Sequence, residues 1–221
     1  MTARRVTAAA AALLLLPVGG CGAQTPDYQS VWSTSSSAAP SPDTPTETPV
    51  PVAQYLEEVG VTGRTVAPEK LPDLTVSIPT PPGWQPYPGT QFEPGTRVIA
   101  KGDTYPIAVL MVFALTGQFD PAEAIKHGDD DARLSENFKE LNASQDNWRG
   151  LPSAMVEGTY DLNGQRMQTY NRIVIATGAP PANQRYLVQL TVTSFANEAE
   201  KYGKDIEAIL TGFAVAPKKK N

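Results

Sequence analysis

The stretch Ser153–Ile175, SAMVEGTYDLNGQRMQTYNRIVI, decides the fold. Ala154, Val156, Gly158, Tyr160 and Leu162 alternate with Met155, Glu157, Thr159, Asp161 and Asn163, the two-residue period of a strand with two unlike faces. Asn163-Gly164 then predicts a tight hairpin, because both central residues of a type I′ turn need positive φ and this pair supplies it at little steric cost. Gln165–Ala176 is the return strand. Gly178–Asn183 turns the chain again, and Arg185–Phe195 is a third strand whose inward face is Tyr186, Val188, Leu190 and Val192. The pattern is a three-strand antiparallel meander.

Working outward, Ile107–Leu115 (IAVLMVFAL) is apolar at every position, as in a central strand covered on both faces. Short strands are expected at Leu74–Ile78 and Thr96–Ala100. Val52–Val59 is helix-compatible and stops at Gly60, and Asp120-Pro121 opens another helix with an N-cap acid and a first-turn proline. Phe138–Trp148 is extended in part. After the meander, Asn197 and Glu200 have the spacing of a capping box. Ala199, Tyr202, Ile206, Ile209 and Phe213 then share one helical face. A short terminal strand is expected at Phe213–Val215. These elements predict one α+β domain over residues 52–215, an antiparallel sheet with helices on both faces (an α/β/α sandwich), followed by a solvated basic tail, 216–221.

The N-terminus has a different character. Arg4 and Arg5 precede an uncharged run, Val6–Leu16, and then Pro17-Val18-Gly19-Gly20-Cys21. A basic start, a short apolar stretch and small residues read as a secretory leader over residues 1–20, too short to span a bilayer. Val18-Gly19-Gly20-Cys21 resembles a bacterial lipobox, which implies cleavage before Cys21 and acylation of its thiol with palmitate-class chains. Residues 24–51 hold six prolines, six serines and five threonines with no apolar period. Such a segment buries too little surface to offset its ordering entropy, so 21–51 reads as a lipidated cysteine plus spacer. The expected location is the cell membrane, on the extracytoplasmic face.

Composition excludes more than it assigns. The chain of 221 residues carries 18 Lys and Arg against 23 Asp and Glu, a net charge of −5. Arg4 and Arg5 are the only charges in the first 20 residues, so without them the count is 16 against 23, or −7. Nucleic acid, which needs a positive footprint, is not an expected partner. One cysteine and one histidine exclude a disulfide framework, a cysteine zinc site and a multi-histidine metal centre. No nucleotide-binding glycine loop and no nucleophile elbow occurs. His127 beside Asp129, Asp130 and Asp131 reads as a helix end followed by a solvated acidic turn. Neither a catalytic residue, a metal nor a cofactor is expected.

The lipobox, the Pro/Ser/Thr spacer, LTVSIPTPPGW at Leu74–Trp84, the 153–175 hairpin and the helix ending ILTGF at Phe213 together resemble the mycobacterial LpqN/LpqT lipoprotein family. The resemblance covers essentially the whole chain. It implies a Mog1/PsbP-like fold, an antiparallel sheet between helices, and a place in the actinobacterial cell envelope with roles in glycolipid handling or host contact. It implies no catalytic motif. Only Cys21 is carried over as a functional residue.

One further set of residues invites a binding role. Trp84, Tyr87 and Phe92 lie on the proline-studded segment Pro79–Pro94. Rigid aromatics on a stiff loop form a suitable rim for a sugar-bearing or apolar ligand, because little ordering entropy is lost on binding. The alternative is that they staple the loop to the core. The expected function is therefore a non-enzymatic, membrane-anchored envelope lipoprotein that binds a lipid or glycolipid in a cleft between sheet and helix. The alternative is a protein-interaction module on a stalk, with a closed core and a displayed patch for an envelope or host protein.

Overall fold

The computed structural model describes residues 48–219. Cys21, the leader and most of the spacer lie outside them. The elements in chain order are α1 (Val52–Glu58), β1 (Thr62–Thr65), β2 (Leu74–Ser77), β3 (Gln85–Pro86), β4 (Arg97–Ala100), β5 (Ile107–Thr116), α2 (Pro121–Ala124), α3 (Asp130–Arg133), β6 (Lys139–Ser144), β7 (Ser153–Leu162), β8 (Gln165–Thr177), β9 (Arg185–Phe195), α4 (Ala199–Gly212) and β10 (Ala214–Pro217).

The meander forms as its sequence dictates. β7 and β8 pair from Ser153↔Val174 to Leu162↔Gln165 around Asn163 and Gly164, whose φ angles of 49° and 74° are those the tight turn demands. β9 returns along β8, and β5 lies on the far side of β9, from Ile107↔Thr193 to Leu115↔Arg185. The sheet order is β3-β4-β5-β9-β8-β7-β6, antiparallel throughout, with β1 beside β4 on the same edge of β5. β5 is thus hydrogen-bonded on both sides along its length, and its all-apolar sequence fills both faces.

Odd positions of β5, β8 and β9 face one layer. There Met111, Phe113, Ile173, Ile175 and Leu187 pack under α1 and the α2 segment, which contribute Leu56, Ala124 and Ile125. Even positions face the other layer, where Leu110, Val174, Val188 and Leu190 pack under α4 and a two-stranded ribbon of β2 and β10. The architecture is the expected α+β fold with cover on both faces of an antiparallel sheet.

Several local features differ from the sequence reading. β1 has the sequence TGRT, with no apolar residue to announce it, and is specified by its partner β5. Asn197 lies in a 3₁₀ turn, Ala196–Glu198, so the N-cap of α4 is Glu198 and no side chain caps the helix. The Asn197–Glu200 capping box therefore does not form, because the 3₁₀ turn occupies the place where the α-helix would have begun. β10 runs to Pro217 opposite Leu74, and Lys218 donates from its backbone to Asp73 and from its Nζ to Leu71. The first lysine of the tail is exposed yet held by the fold through these two bonds. At the other end, the backbone N–H of Val50 donates to Asp130 Oδ2 at 3.1 Å, so ordered contacts begin two residues before the helix.

Candidate functional site

Halfway along β8 and β9 the apolar face gives way to a polar one. Below Leu187, Ile175 and Ile173, the residues sharing that face are Gln189, Thr191, Thr193, Asn171 and Thr169, paired as Ile173↔Gln189, Asn171↔Thr191 and Thr169↔Thr193. Gln189, Thr169, Thr191 and Thr193 are buried, and Asn171 is half-buried. Buried polar side chains stabilise only when their hydrogen bonds are made, and here they form a directed chain. Gln189 Nε2 donates to Thr191 Oγ1 at 3.4 Å, and Thr191 Oγ1 donates to Asn171 Oδ1 at 2.5 Å. Asn171 Nδ2 donates to Thr169 Oγ1 at 3.5 Å, whose hydroxyl pairs with Thr193 at 3.3 Å. Gln189 Oε1, at the head of the chain, is shut from solvent and has no partner.

This stripe is the floor of a cleft of about 340 Å³. The opposite wall is the segment from Gly128 to Glu136, which follows α2. Asp120 caps α2 by accepting from the Ala122 N–H at 2.8 Å. Gly128 lets the segment lie against β7, since a Cβ there would sit 2.7 Å from that of Ala154. The three aspartates then separate. Asp129 is buried and accepts from Arg133 at 2.7 Å, with Gln145 on its other oxygen. Asp130 faces His127 Nδ1 at 3.3 Å and holds the Val50 backbone. Asp131 lines the cleft, with Oδ2 shut from solvent and unpartnered. Burial, and secondarily the charge of Asp130, pushes its carboxyl up to about 7. Of the acidic run only Asp131 lines the cleft, and with Asp129 buried and Asp130 half-buried the run is not the solvated turn expected from sequence. Its spacing on a one-turn helix points the acids in different directions.

Ser135, Glu136, Tyr160, Asp161 and Asn163 complete the polar lining, while Leu134, Leu162 and Ile173 add apolar surface; among the described residues no Lys, Arg or His lines the cleft. A second hollow of about 340 Å³, between α4 and the opposite sheet face, is lined by Val192, Ile206, Leu210 and Tyr170 among others.

The aromatic loop does not form the rim expected of it. β3 makes the loop an edge strand, and strand alternation sends Trp84 and Tyr87 to opposite faces. Trp84 is 4% exposed in the α4 layer, its indole N–H donating to Asp205 Oδ2 at 3.2 Å. Tyr87 and Phe92 are half-buried in the other layer, edge-to-face with centroids 6.0 Å apart. Tyr87 borders a hollow of about 500 Å³ beside Arg97 and Lys70, apart from Trp84 and Phe92. The three aromatics thus share no site, and Trp84 is the staple of the loop. Trp148 stacks on Phe213 with centroids 5.0 Å apart. His127 stacks on Tyr55 at 4.5 Å, away from the cleft floor. Cys21 lies outside the described residues.

Sequence reasoning missed the stripe, although its signal was present. Gln189, Thr191 and Thr193 fill three successive odd positions of β9 while Val188, Leu190 and Val192 at the even positions stay apolar. A central strand with one polar face needs something other than packed hydrocarbon against that face.

The family described as "Probable lipoprotein LpqN" matches residues 48–216, the whole of this domain. The chain belongs to the LpqN lipoprotein family. LpqT of Mycobacterium tuberculosis, named as a lipoprotein, is 58% identical over 96% of this chain and 93% of its own length. LpqT of Mycobacterium leprae is 55% identical over 96% of both chains. The crystal structure of LpqN of M. tuberculosis, described as involved in cell envelope biogenesis, superposes with a TM-score of 0.64 at 18% identity. That match covers 79% of this chain and 100% of the other, and establishes a shared fold. Among the described residues no helix is long and apolar enough to cross a membrane. No group of three or more His, Cys, Asp or Glu among them is placed to hold a metal.

Proposed function

We propose that this member of the LpqN family is a non-catalytic cell-envelope lipoprotein, anchored on the extracytoplasmic face through acylated Cys21, that binds the head group of a glycolipid in the cleft over β8 and β9. The observation that carries this reading is the buried polar stripe. Hydroxyl and amide side chains in the middle of a sheet face are costly unless paired, and this stripe ends in an acceptor, Gln189 Oε1, that no protein group satisfies. A turn of the Gln189 side chain toward the cleft would bring that acceptor to a ligand hydroxyl. Leu134, Leu162 and Ile173 give such an amphiphile apolar wall to lie against. The lipobox-like leader and the lipoprotein names of the relatives support the anchor. The solved LpqN's description supports the compartment. A displayed protein-interaction module calls for a closed core, so the open polar cleft favours the ligand reading.

The test is lipid extraction and mass spectrometry of the protein purified from envelope membranes. It is joined to calorimetric titration of the Cys21→Ser chain, which has no acyl chains of its own, with octyl glucoside below its micelle threshold. Saturable binding that weakens about tenfold in Thr191→Val, a loss of one paired hydroxyl, is the expected result. Absence of both a co-purified glycolipid and saturable binding overturns the reading.

A further inference from the structure

We infer that Asp131 and Gln189 make the cleft selective for neutral, polyhydroxylated head groups over anionic ones, with Gln189 Oε1 accepting from a ligand hydroxyl and the Asp131 carboxylic acid donating to a ligand oxygen. This rests on the reading of the cleft as a binding site and adds its chemical preference.

Two buried side-chain atoms of the cleft lack partners, and they come from opposite walls. Gln189 is 97% buried, its exposure being 3%, and its amide nitrogen is committed to Thr191. The 2.5 Å contact between Thr191 Oγ1 and Asn171 Oδ1 has the length of an O–H···O bond, so Thr191 donates there, accepts from the Gln189 nitrogen, and leaves an acceptor as the free atom of the amide. It needs a donor, which a hydroxyl supplies and a sulfate, phosphate or carboxylate anion does not.

The charged side chains that line the cleft are all acidic. Asp130 stands next to it on α3, Glu136 follows α3, and Asp161 lines the cleft from β7. From β8 and β9 the facing groups are neutral amides and hydroxyls, and β7 adds the Tyr160 hydroxyl. The two nearby guanidiniums are occupied. Arg133 bonds Asp129 and Glu140, and Arg166 bonds Asp161 at 2.9 Å. An anion entering this cleft meets carboxyls and no free cation, whereas a sugar meets donors and acceptors. The raised Asp131 carboxyl, at about 7, holds its proton through the mildly acidic range and then acts as a donor.

The experiment uses the Cys21→Ser chain and two probes with the same tail, octyl glucoside and octanesulfonate, titrated at pH 5.5, 7 and 8.5. The glucoside should bind at least about tenfold tighter than the sulfonate at each pH, and its affinity should fall about tenfold between pH 7 and 8.5 as Asp131 loses its proton. Asp131→Asn keeps a donor, so it should retain glucoside binding and lose the pH slope. Gln189→Met should weaken glucoside binding about tenfold; if that variant does not fold, the isosteric Asp131→Asn decides alone. Equal or tighter sulfonate binding overturns the selectivity while leaving the cleft as a ligand site. A pH slope that persists in Asp131→Asn overturns the role of Asp131. Binding of neither probe overturns this inference and the proposed function together.

Discussion

Trp84 and Asp205 lie 121 residues apart, and the indole N–H of the first donates to the carboxylate of the second at 3.2 Å. Lys101 bonds the same oxygen at 2.7 Å. These two contacts, Lys101 first, hold the Asp205 carboxyl below the usual carboxylate range. The edge of the sheet is thereby tied to α4 through one acid. A large ring that is buried and hydrogen-bonded at its polar end is a core group, whatever the loop that carries it. The proline-rich segment spans the end of the sheet, with Trp84 anchored in one layer and Tyr87 and Phe92 packed against the other.

Trp84→Ala should therefore destabilise the domain by about 3–5 kcal/mol, the range for emptying a buried aromatic site. Trp84→Phe, which loses the indole donor and part of the ring, should cost less, about 1–2 kcal/mol. Urea denaturation of the Cys21→Ser chain followed by circular dichroism measures both. A Trp84→Ala midpoint equal to the parent's would return Trp84 to the surface.

Cys21→Ser should move the protein from the membrane to the soluble fraction, or leave it unprocessed at a larger apparent mass. Each buried methylene of an acyl chain contributes about 0.8 kcal/mol to membrane affinity, and two or more chains give stable anchoring. Fractionation and immunoblotting read the outcome. A variant that stays in the membrane with unchanged mobility shows that something other than Cys21 holds it there.

His127→Ala should leave glucoside affinity unchanged and cost about 1 kcal/mol of stability, through the lost stack on Tyr55 and the lost contact to Asp130. That is more than an ordinary surface change, because the ring joins α1 to the turn that carries the acids. Loss of ligand binding in a folded His127→Ala protein would give the histidine a role that its position does not.

The sheet was legible because each long strand carries its own period and because Asn163-Gly164 fixes one register outright. The apolar run of β5 announced its central place for the same reason. β1 and β3 were not legible: TGRT and Gln85-Pro86 have no apolar alternation and are strands only by pairing with β5 and β4. The aromatic rim was misread because the two-residue strand β3 is too short to show its parity, and parity decides which layer each ring enters. The cleft was half legible. Its floor is written in Gln189, Thr191 and Thr193, but its wall depends on Asp131 being turned inward by a one-turn helix, which no period in Asp129–Asp131 reveals.

Asp131→Asn offers a direct measure of that inward turn. Burial holds the native carboxyl up at about 7, while in the unfolded chain an aspartate titrates near 3.8. The folded state thus binds the proton more tightly, so stability falls as pH rises through the window from about 4 to 7 and levels off above it. Below pH 4 the group is neutral in both states and contributes nothing. An asparagine is neutral throughout, so the variant should match the parent at pH 4, gain on it steadily up to pH 7, and keep a margin on the order of 1–3 kcal/mol at pH 8. The other carboxylates, including Asp161 and Asp205 with their lowered values, are common to both chains and cancel in the difference. Urea midpoints at pH 4, 5.5, 7 and 8 trace the two curves. If they run parallel, Asp131 is solvated and the wall of the cleft is open; if they diverge across that window, a buried carboxyl lines it.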